Sequence, residues 1–222
     1  MEFQRARNDT QRDERRRTIL SMASAMLEEM SVADLSLKEL SRRVGLAKSN
    51  VLRYFESREA VLLELLNAAL QAWIDDLDLS AISPSIPPHE RAEAVAGAIA
   101  QSLAARPVLC DLISAQASVL ERNVSTDTVL RHKRAVLVSV EALSVKLRTP
   151  LPELDGSDIY KIIAIALLMT SGVWPHDRPT EALLAAYTAD PEIGAHRMRF
   201  APFMQEALAL TIIGLLAGRV TI

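Results

Sequence analysis

Apolar residues recur at three- and four-residue intervals along most of the chain, and no segment alternates with the two-residue period of a half-buried strand, so the pattern predicts an all-α protein. Ile19, Ala23, Met26, Leu27 and Met30 form the inward stripe of a first helix beginning near Gln11. Leu37, Leu40 and Val44 form that of a second. Ser36 and Glu39 have capping-box spacing at its start, the hydroxyl accepting a backbone N–H while Glu39 reaches back, and Gly45 ends it in a left-handed cap. Leu46 is expected to plug the corner, and Val51 and Phe55 to pack a short third helix. Ser57 opens a fourth, whose Val61, Leu62, Leu65, Leu66, Ala69, Leu70 and Trp73 run inward to about Leu77.

The prolines of residues 80–88 forbid a continuous helix and mark a linker, leaving the fourth helix as the expected sole continuous element between the two parts of the chain. Helices follow at about 88–105, 107–121 and 126–148, then a loop over 149–156 and a very apolar helix over 159–174. A stretch rich in Pro and His is expected to be irregular before a last helix over about 202–218. These two late helices are apolar on more than one face, which implies burial on two sides. Pairing them across a two-fold axis as the four-helix bundle of a homodimer hides both faces, with Ile212 and Leu216 expected at the interface; a purely intramolecular core is the alternative. Neither a signal peptide nor an apolar run of about 20 residues is expected, so the chain reads as cytoplasmic, with no membrane partner.

The short third helix carries the most informative surface. Lys48, Ser49, Asn50, Leu52, Arg53 and Tyr54 are left facing outward when Val51 and Phe55 turn in. Asn and Arg suit base edges in a major groove, while Lys and the hydroxyls suit phosphates. The net charge of −3 is polarised: residues 1–60 carry 12 Lys and Arg against 10 Asp and Glu, and the remainder 13 against 18. An acidic body keeps DNA off the wrong surface. Residues 1–10 read as a flexible basic arm, from which Arg5 and Arg7 could reach a minor groove or simply be solvated, and one of Arg15, Arg16 and Arg17 could touch the DNA backbone.

The run from Gly45 to Val61, with its glycine turn, Tyr54–Phe55 corner and following Ser57-Arg58-Glu59, resembles the signature of TetR-family transcriptional regulators, over roughly residues 12–65. The resemblance implies an N-terminal three-helix helix-turn-helix domain, residues 1–60, and a C-terminal helical bundle, residues 61–222, that dimerises and binds ligand. It implies a homodimeric repressor on an inverted-repeat operator in double-stranded DNA, released by a small-molecule effector. Carried onto this chain, Ser36, Lys48, Tyr54 and Arg58 contact phosphates, and Ser49, Asn50 and Arg53 lie nearest the bases. Ala47 departs from the family's Ser or Thr and forfeits an N-cap of about 1 kcal/mol. Leu52 departs from the usual Tyr, losing a backbone contact and offering an apolar touch to a thymine methyl.

A bundle cavity lined by the middle and late helices would be mostly apolar with a few polar anchors. Gln116, His132, Trp174 and Tyr187 supply polar handles, with Cys110 and Met169 among the apolar candidates. Cys110 cannot form an intramolecular disulfide and reads as a buried hydrophobe or a redox-sensitive thiol. His89, His132, His176 and His196 belong to no metal-ligand pattern, and no nucleophile elbow, phosphate-cradling glycine cluster or carboxylate pair is found. No catalytic residue, metal or cofactor is therefore expected. Two rivals to the ligand-responsive repressor are a helical ligand-binding enzyme with a non-functional head, and a regulator that is constitutive or answers to a protein partner.

Overall fold

The computed structural model describes residues 2–220, with side chains over 11–218. Every regular element among the described residues is helical: α1 Glu2–Glu29, α2 Leu37–Val44, α3 Lys48–Val51, α4 Arg58–Asp76, α5 Pro88–Ala104, α6 Pro107–Ala115, a π-helical turn Gln116–Leu120, α7 Thr126–Arg148, α8 Gly156–Asp177, α9 Glu181–Ala189, α10 Pro191–Ala195 and α11 Phe200–Val220. The chain divides into two compact units, one of residues up to Ala69 with Ala115–Arg134, the other of Leu70–Ser114 with the residues from Ala135 on. The expected boundary at residue 60 falls inside α4.

In the first unit, Ile19, Ala23, Met26 and Leu27 of α1 are buried with Leu40, Val51, Phe55 and most of the apolar positions early in α4. Val32 and Leu35, between α1 and α2, join this core although no periodicity marks them. Leu46 and Met30 are only half-buried. The Ser36 hydroxyl accepts the Glu39 N–H at 3.1 Å. Glu39 does not complete the reciprocal half of the box: its carboxylate accepts instead from Arg42 at 2.6 and 2.8 Å and from Arg43 at 3.0 Å. Those hydrogen bonds hold its pKa down to about 2. Gly45 adopts φ 73°, and the N–H groups of Gly45 and Leu46 donate to Arg42 and Ser41 carbonyls, closing α2 with a Schellman-type cap.

The second unit is built on α11, which packs against α5 and α8. Phe200 meets Trp174 edge-on at 5.0 Å between ring centroids. The Trp73 indole donates to Ser102 Oγ at 2.9 Å, and Lys146 donates to the Asp75 and Leu77 carbonyls, satisfying the end of α4. Arg91 is buried and donates to the Pro150 carbonyl at 2.9 Å and to Glu153.

Five expectations are corrected. The helix of α1 starts at Glu2 rather than near Gln11, and the side chains of Arg5 and Arg7, assigned to a flexible arm, lie outside the described residues. The stretch expected to be irregular forms α9 and α10, because Thr180 and Asp190 supply N-caps and Pro191 sits in a first turn where its missing N–H has no partner to lose. The last turn of the 107–121 helix widens into the π-helical segment. α7 as well as α4 contributes residues to both units, so α4 is not the sole connection. Finally, α8 and α11 are each long and apolar enough to cross a membrane by length and composition, where no such run was expected. Buried polar Asp158 and Thr170 sit on α8 among apolar residues that pack within the unit.

A Cβ built on Gly45 meets nothing within 4 Å, so only its positive φ opposes substitution. Gly45→Ala is expected to lower stability by about 1 kcal/mol in urea denaturation, the cost of a left-handed L-residue. A neutral result would show that the turn relaxes to another conformation.

Candidate nucleic-acid interface

Four residues are too few to make a helix alone, so α3 is held by its surroundings. Ala47 provides no side-chain cap, as its chemistry requires. Position comes from Val51 and Phe55, both buried, and from Arg16 on α1. The Arg16 guanidinium lies 4.4 Å from the Phe55 ring centroid, donates to the Tyr54 carbonyl and pairs with Glu64 on α4. Three elements thereby meet at one cation. Of Arg15, Arg16 and Arg17, one of which is expected at the DNA backbone, Arg16 turns inward, while Arg15 and Arg17 are exposed.

What this brace presents to solvent is a row of uncommitted polar groups. Lys48, Ser49, Asn50 and Arg53 are exposed, and their side chains have no hydrogen-bond or ion-pair partner among the described residues. Leu52 is 41% exposed and Tyr54 half-buried. Arg53 and Tyr54 also line a groove of about 980 Å³ with Arg12, Glu14 and Arg15 of α1, where the arginines outnumber the one carboxylate and positive charge continues beyond α3. Ser36 is exposed, its hydroxyl oxygen engaged as the α2 cap. Arg58 is placed differently: its guanidinium donates to the Ala33 and Leu35 carbonyls, both at 3.2 Å, and to Glu59 at 3.1 Å, stapling the α1–α2 connection.

The residues expected to bind ligand fall into both units. In the first, His132 is buried with Nδ1 2.7 Å from Asn67 Oδ1 and Nε2 3.1 Å from the Gln116 amide nitrogen, which also donates to Glu121 at 2.8 Å. The chain of bonds fits a neutral ring that donates from Nδ1 and accepts at Nε2. Burial holds the His132 pKa below its ordinary value, Lys133 adding to the effect and Glu121 opposing it. Asn67 and Glu121 were not singled out in the sequence. The available signal was Asn67 itself, a polar residue inside the apolar run Leu65-Leu66-Asn67-Ala68-Ala69-Leu70.

In the second unit, Cys110 is fully buried and its thiol donates to the Leu103 carbonyl at 3.3 Å. Burial pushes that thiol up to about 12, which makes it inert rather than redox-sensitive. The Trp174 indole N–H donates to Asp111 at 2.7 Å, with Arg178 on the other carboxylate oxygen at 3.0 Å. Met169 and Tyr187 are half-buried. A small apolar cavity of about 10 Å³ lies among Trp73, Leu143, Ile163 and their neighbours, and includes none of the residues expected to bind ligand.

Comparison with known proteins matches both parts of the chain. Residues 19–65 match the bacterial regulatory proteins of the tetR family, and residues 67–219 match the tetracyclin repressor-like C-terminal domain. A stretch of 55 residues is 40% identical to the HTH-type transcriptional regulator EthR of Mycobacterium tuberculosis; it covers 25% of this chain and 26% of that protein. The match therefore spans about a quarter of the relative's length. A TetR transcriptional regulator from Rhodococcus sp. RHA1 superposes with a TM-score of 0.59 at 12% identity, over 92% of this chain and 96% of that one. The fatty acid degradation regulator FadR from Bacillus halodurans gives 0.52 at 14%, over 87% and 94%. At these identities the likeness to both structures is one of fold.

With the folded-state pKa of His132 depressed, the unfolded chain binds that proton first as pH falls. The stability that depends on the neutral ring is full above about pH 6.5 and declines as pH drops from there toward the folded-state value. His132→Asn is expected to flatten this part of the curve, read by urea denaturation from about pH 7.5 to 5. An unchanged slope in the variant would contradict the buried neutral assignment.

Proposed function

The chain belongs to the TetR family of bacterial regulatory proteins, and on that premise we propose that it is a cytoplasmic, dimeric DNA-binding repressor that a small molecule releases from an inverted-repeat operator. The observation that carries this reading is the row Lys48, Ser49, Asn50 and Arg53, exposed and uncommitted on a helix that Arg16 braces from behind. A solvent-facing Asn and Arg fit base edges, and Lys48, Ser36 and Tyr54 fit phosphates. Arg58 contributes by holding the α1–α2 connection and reaches phosphate only by giving up carbonyl bonds. Residues 1–60 are assigned to reading DNA and 61–222 to dimerisation and sensing.

The dimer is argued from α8 and α11. Leu168 is 73% and Leu210 64% exposed in the single chain. Each precedes by four residues a glycine, Gly172 or Gly214, at which an added Cβ would meet nothing within 4 Å. Residues four apart share a helix face, so both helices expose a leucine knob beside a glycine hollow. Such faces suit close helix packing across a two-fold axis. Ile212 and Leu216, expected at that interface, are buried in the chain's own core instead, because α11 turns them toward α5 and α8.

The effector reading rests on the apolar walls of the second unit. A cavity of about 10 Å³ holds at most about one water, so an apolar or amphipathic molecule enters only by opening the packing of Trp73, Leu143 and Ile163. Its binding then favours a different conformation, and by linkage the operator weakens ligand affinity by the same factor.

Selection of bound fragments from a random DNA pool is expected to return an inverted repeat. On it, Asn50→Ala should relax selectivity at one half-site position at a cost of about 1–3 kcal/mol. Lys48→Ala should weaken all sequences alike and reduce the salt slope by about one unit. Equal losses on specific and random DNA from both variants would defeat this division of roles. Repeating the titration with library compounds that raise the melting temperature tests the effector; stabilisers that leave operator affinity unchanged would favour a constitutive or protein-controlled regulator.

Leu168→Glu combined with Leu210→Glu places charge on surfaces exposed in the monomer and should yield folded monomers by sedimentation, with operator affinity lost. A wild-type monomer at micromolar concentration that binds the operator unaltered would rule the dimer out.

A further inference from the structure

Behind the Tyr54–Phe55 corner, the first unit holds a recess of about 230 Å³ walled by α1, the corner itself, α4 and the first turns of α7. It shares Tyr54 with the groove beside α3 and none of the lining residues of the apolar cavity in the second unit. Phe55 and Leu63 supply its apolar wall; most of the rest is polar. The volume is below the usual range for drug-sized ligands and suits a small metabolite.

The polar wall is largely assembled already, yet groups of both kinds are left over. The Arg131 fork uses one nitrogen on the Thr128 hydroxyl, at 2.7 Å, and keeps its other donors. Asn67 spends its carbonyl on His132, and its NH₂ has no partner among the described residues. On the acceptor side, Glu64 pairs with Arg16 through one oxygen and leaves the other without a partner among the described residues. Glu56 is more fully engaged: one of its oxygens accepts from the Ser125 N–H at 2.8 Å and from its hydroxyl at 3.0 Å, and Thr128 and the charge of Arg131 also hold its carboxylate. The charged walls, Arg16 and Arg131 against Glu56 and Glu64, balance, and His132 lines the recess as a buried, neutral ring.

A charge-balanced recess gives no compensation to a guest of net charge, while spare donors and a spare carboxylate oxygen reward a guest carrying one charge of each sign. We propose that this recess binds a small zwitterion, an α-amino acid, with its carboxylate held by Arg131 and the Asn67 amide and its ammonium by Glu64. The site adds a second ligand, chemically unlike the apolar effector, to the regulator reading. Its influence on DNA rests on that reading. An ammonium on the free oxygen of Glu64 draws on the same carboxylate charge that holds Arg16, the group that donates to the Tyr54 carbonyl at the end of the recognition segment. Occupancy should therefore loosen the brace behind α3.

The test is calorimetric titration of the DNA-free protein with each of the twenty α-amino acids, alongside the matched short carboxylates and amines. At least one amino acid is expected to bind, with its matched carboxylate and amine at least about ten-fold weaker, as loss of one charge-assisted partner implies. Arg131→Gln and Glu64→Gln alter exposed or half-exposed side chains, and each should weaken binding about ten-fold while the ligand-free melting temperature confirms folding. Absence of binding up to about 10 mM, a weakness beyond about −2.7 kcal/mol, would overturn the proposal. So would carboxylates or amines binding as tightly, or affinity unchanged in both variants. Because the binding is measured without DNA, its failure leaves the operator reading standing, and failure of operator selection leaves the titration result intact.

Discussion

The exposed row on α3 is backed by the inward turn of Arg16, which joins three elements behind it. A four-residue helix with alanine at its N-cap position has neither the length nor the cap to persist alone. Burial of Val51 and Phe55 turns its inner face to the core. The Arg16 guanidinium secures that placement: it stacks on Phe55, donates to the Tyr54 carbonyl and pairs with Glu64. The ion pair is partly exposed and worth little by itself. The value lies in joining α1, the corner and α4 through one rigid planar group, which leaves Lys48, Ser49, Asn50 and Arg53 free to face outward.

The same unit shows why the polar residues of the middle chain matter. Residues 115–134 belong with the helix-turn-helix, not with the helices that flank them in sequence. Glu56 caps the start of α7 through Ser125, and Asn67 on α4 holds His132, which holds Gln116 beside the π-helical turn. π-helical turns are uncommon and are frequently found at functional sites. Here the turn brings Gln116 within 3.1 Å of the histidine. The first turns of α7 are thus tied by hydrogen bonds to Glu56, beside the corner, and to Asn67 on α4.

The two most apolar helices illustrate a limit of composition. α8 and α11 have the length and hydropathy of membrane spans. Burial sorts their residues: Ile159, Ile162, Ile163 and Val173 of α8 and Leu208, Ile212 and Leu216 of α11 lie within the unit, while Leu168 and Leu210 do not. Length and hydropathy alone therefore do not say what a helix packs against; the pattern of burial along it does.

The sequence by itself determined the helical class, most helix positions, the glycine-capped turn and the outward residues of α3. These follow from periodicity and local backbone chemistry, which act over a few neighbouring residues. It misplaced the start of α1, and it left residues 181–195 irregular because α9 and α10, with no buried residue, carry little periodic signal. Only the tertiary structure decided that Arg16 and Arg58 serve the fold, that Glu39 prefers arginines to the Ser36 amide, and that Asn67 joins His132 across 65 positions. Each is a choice of partner among distant groups of suitable chemistry. Such choices depend on which side chains packing brings within about 3 Å, the range over which a hydrogen bond acts, and that distance is set by the whole fold.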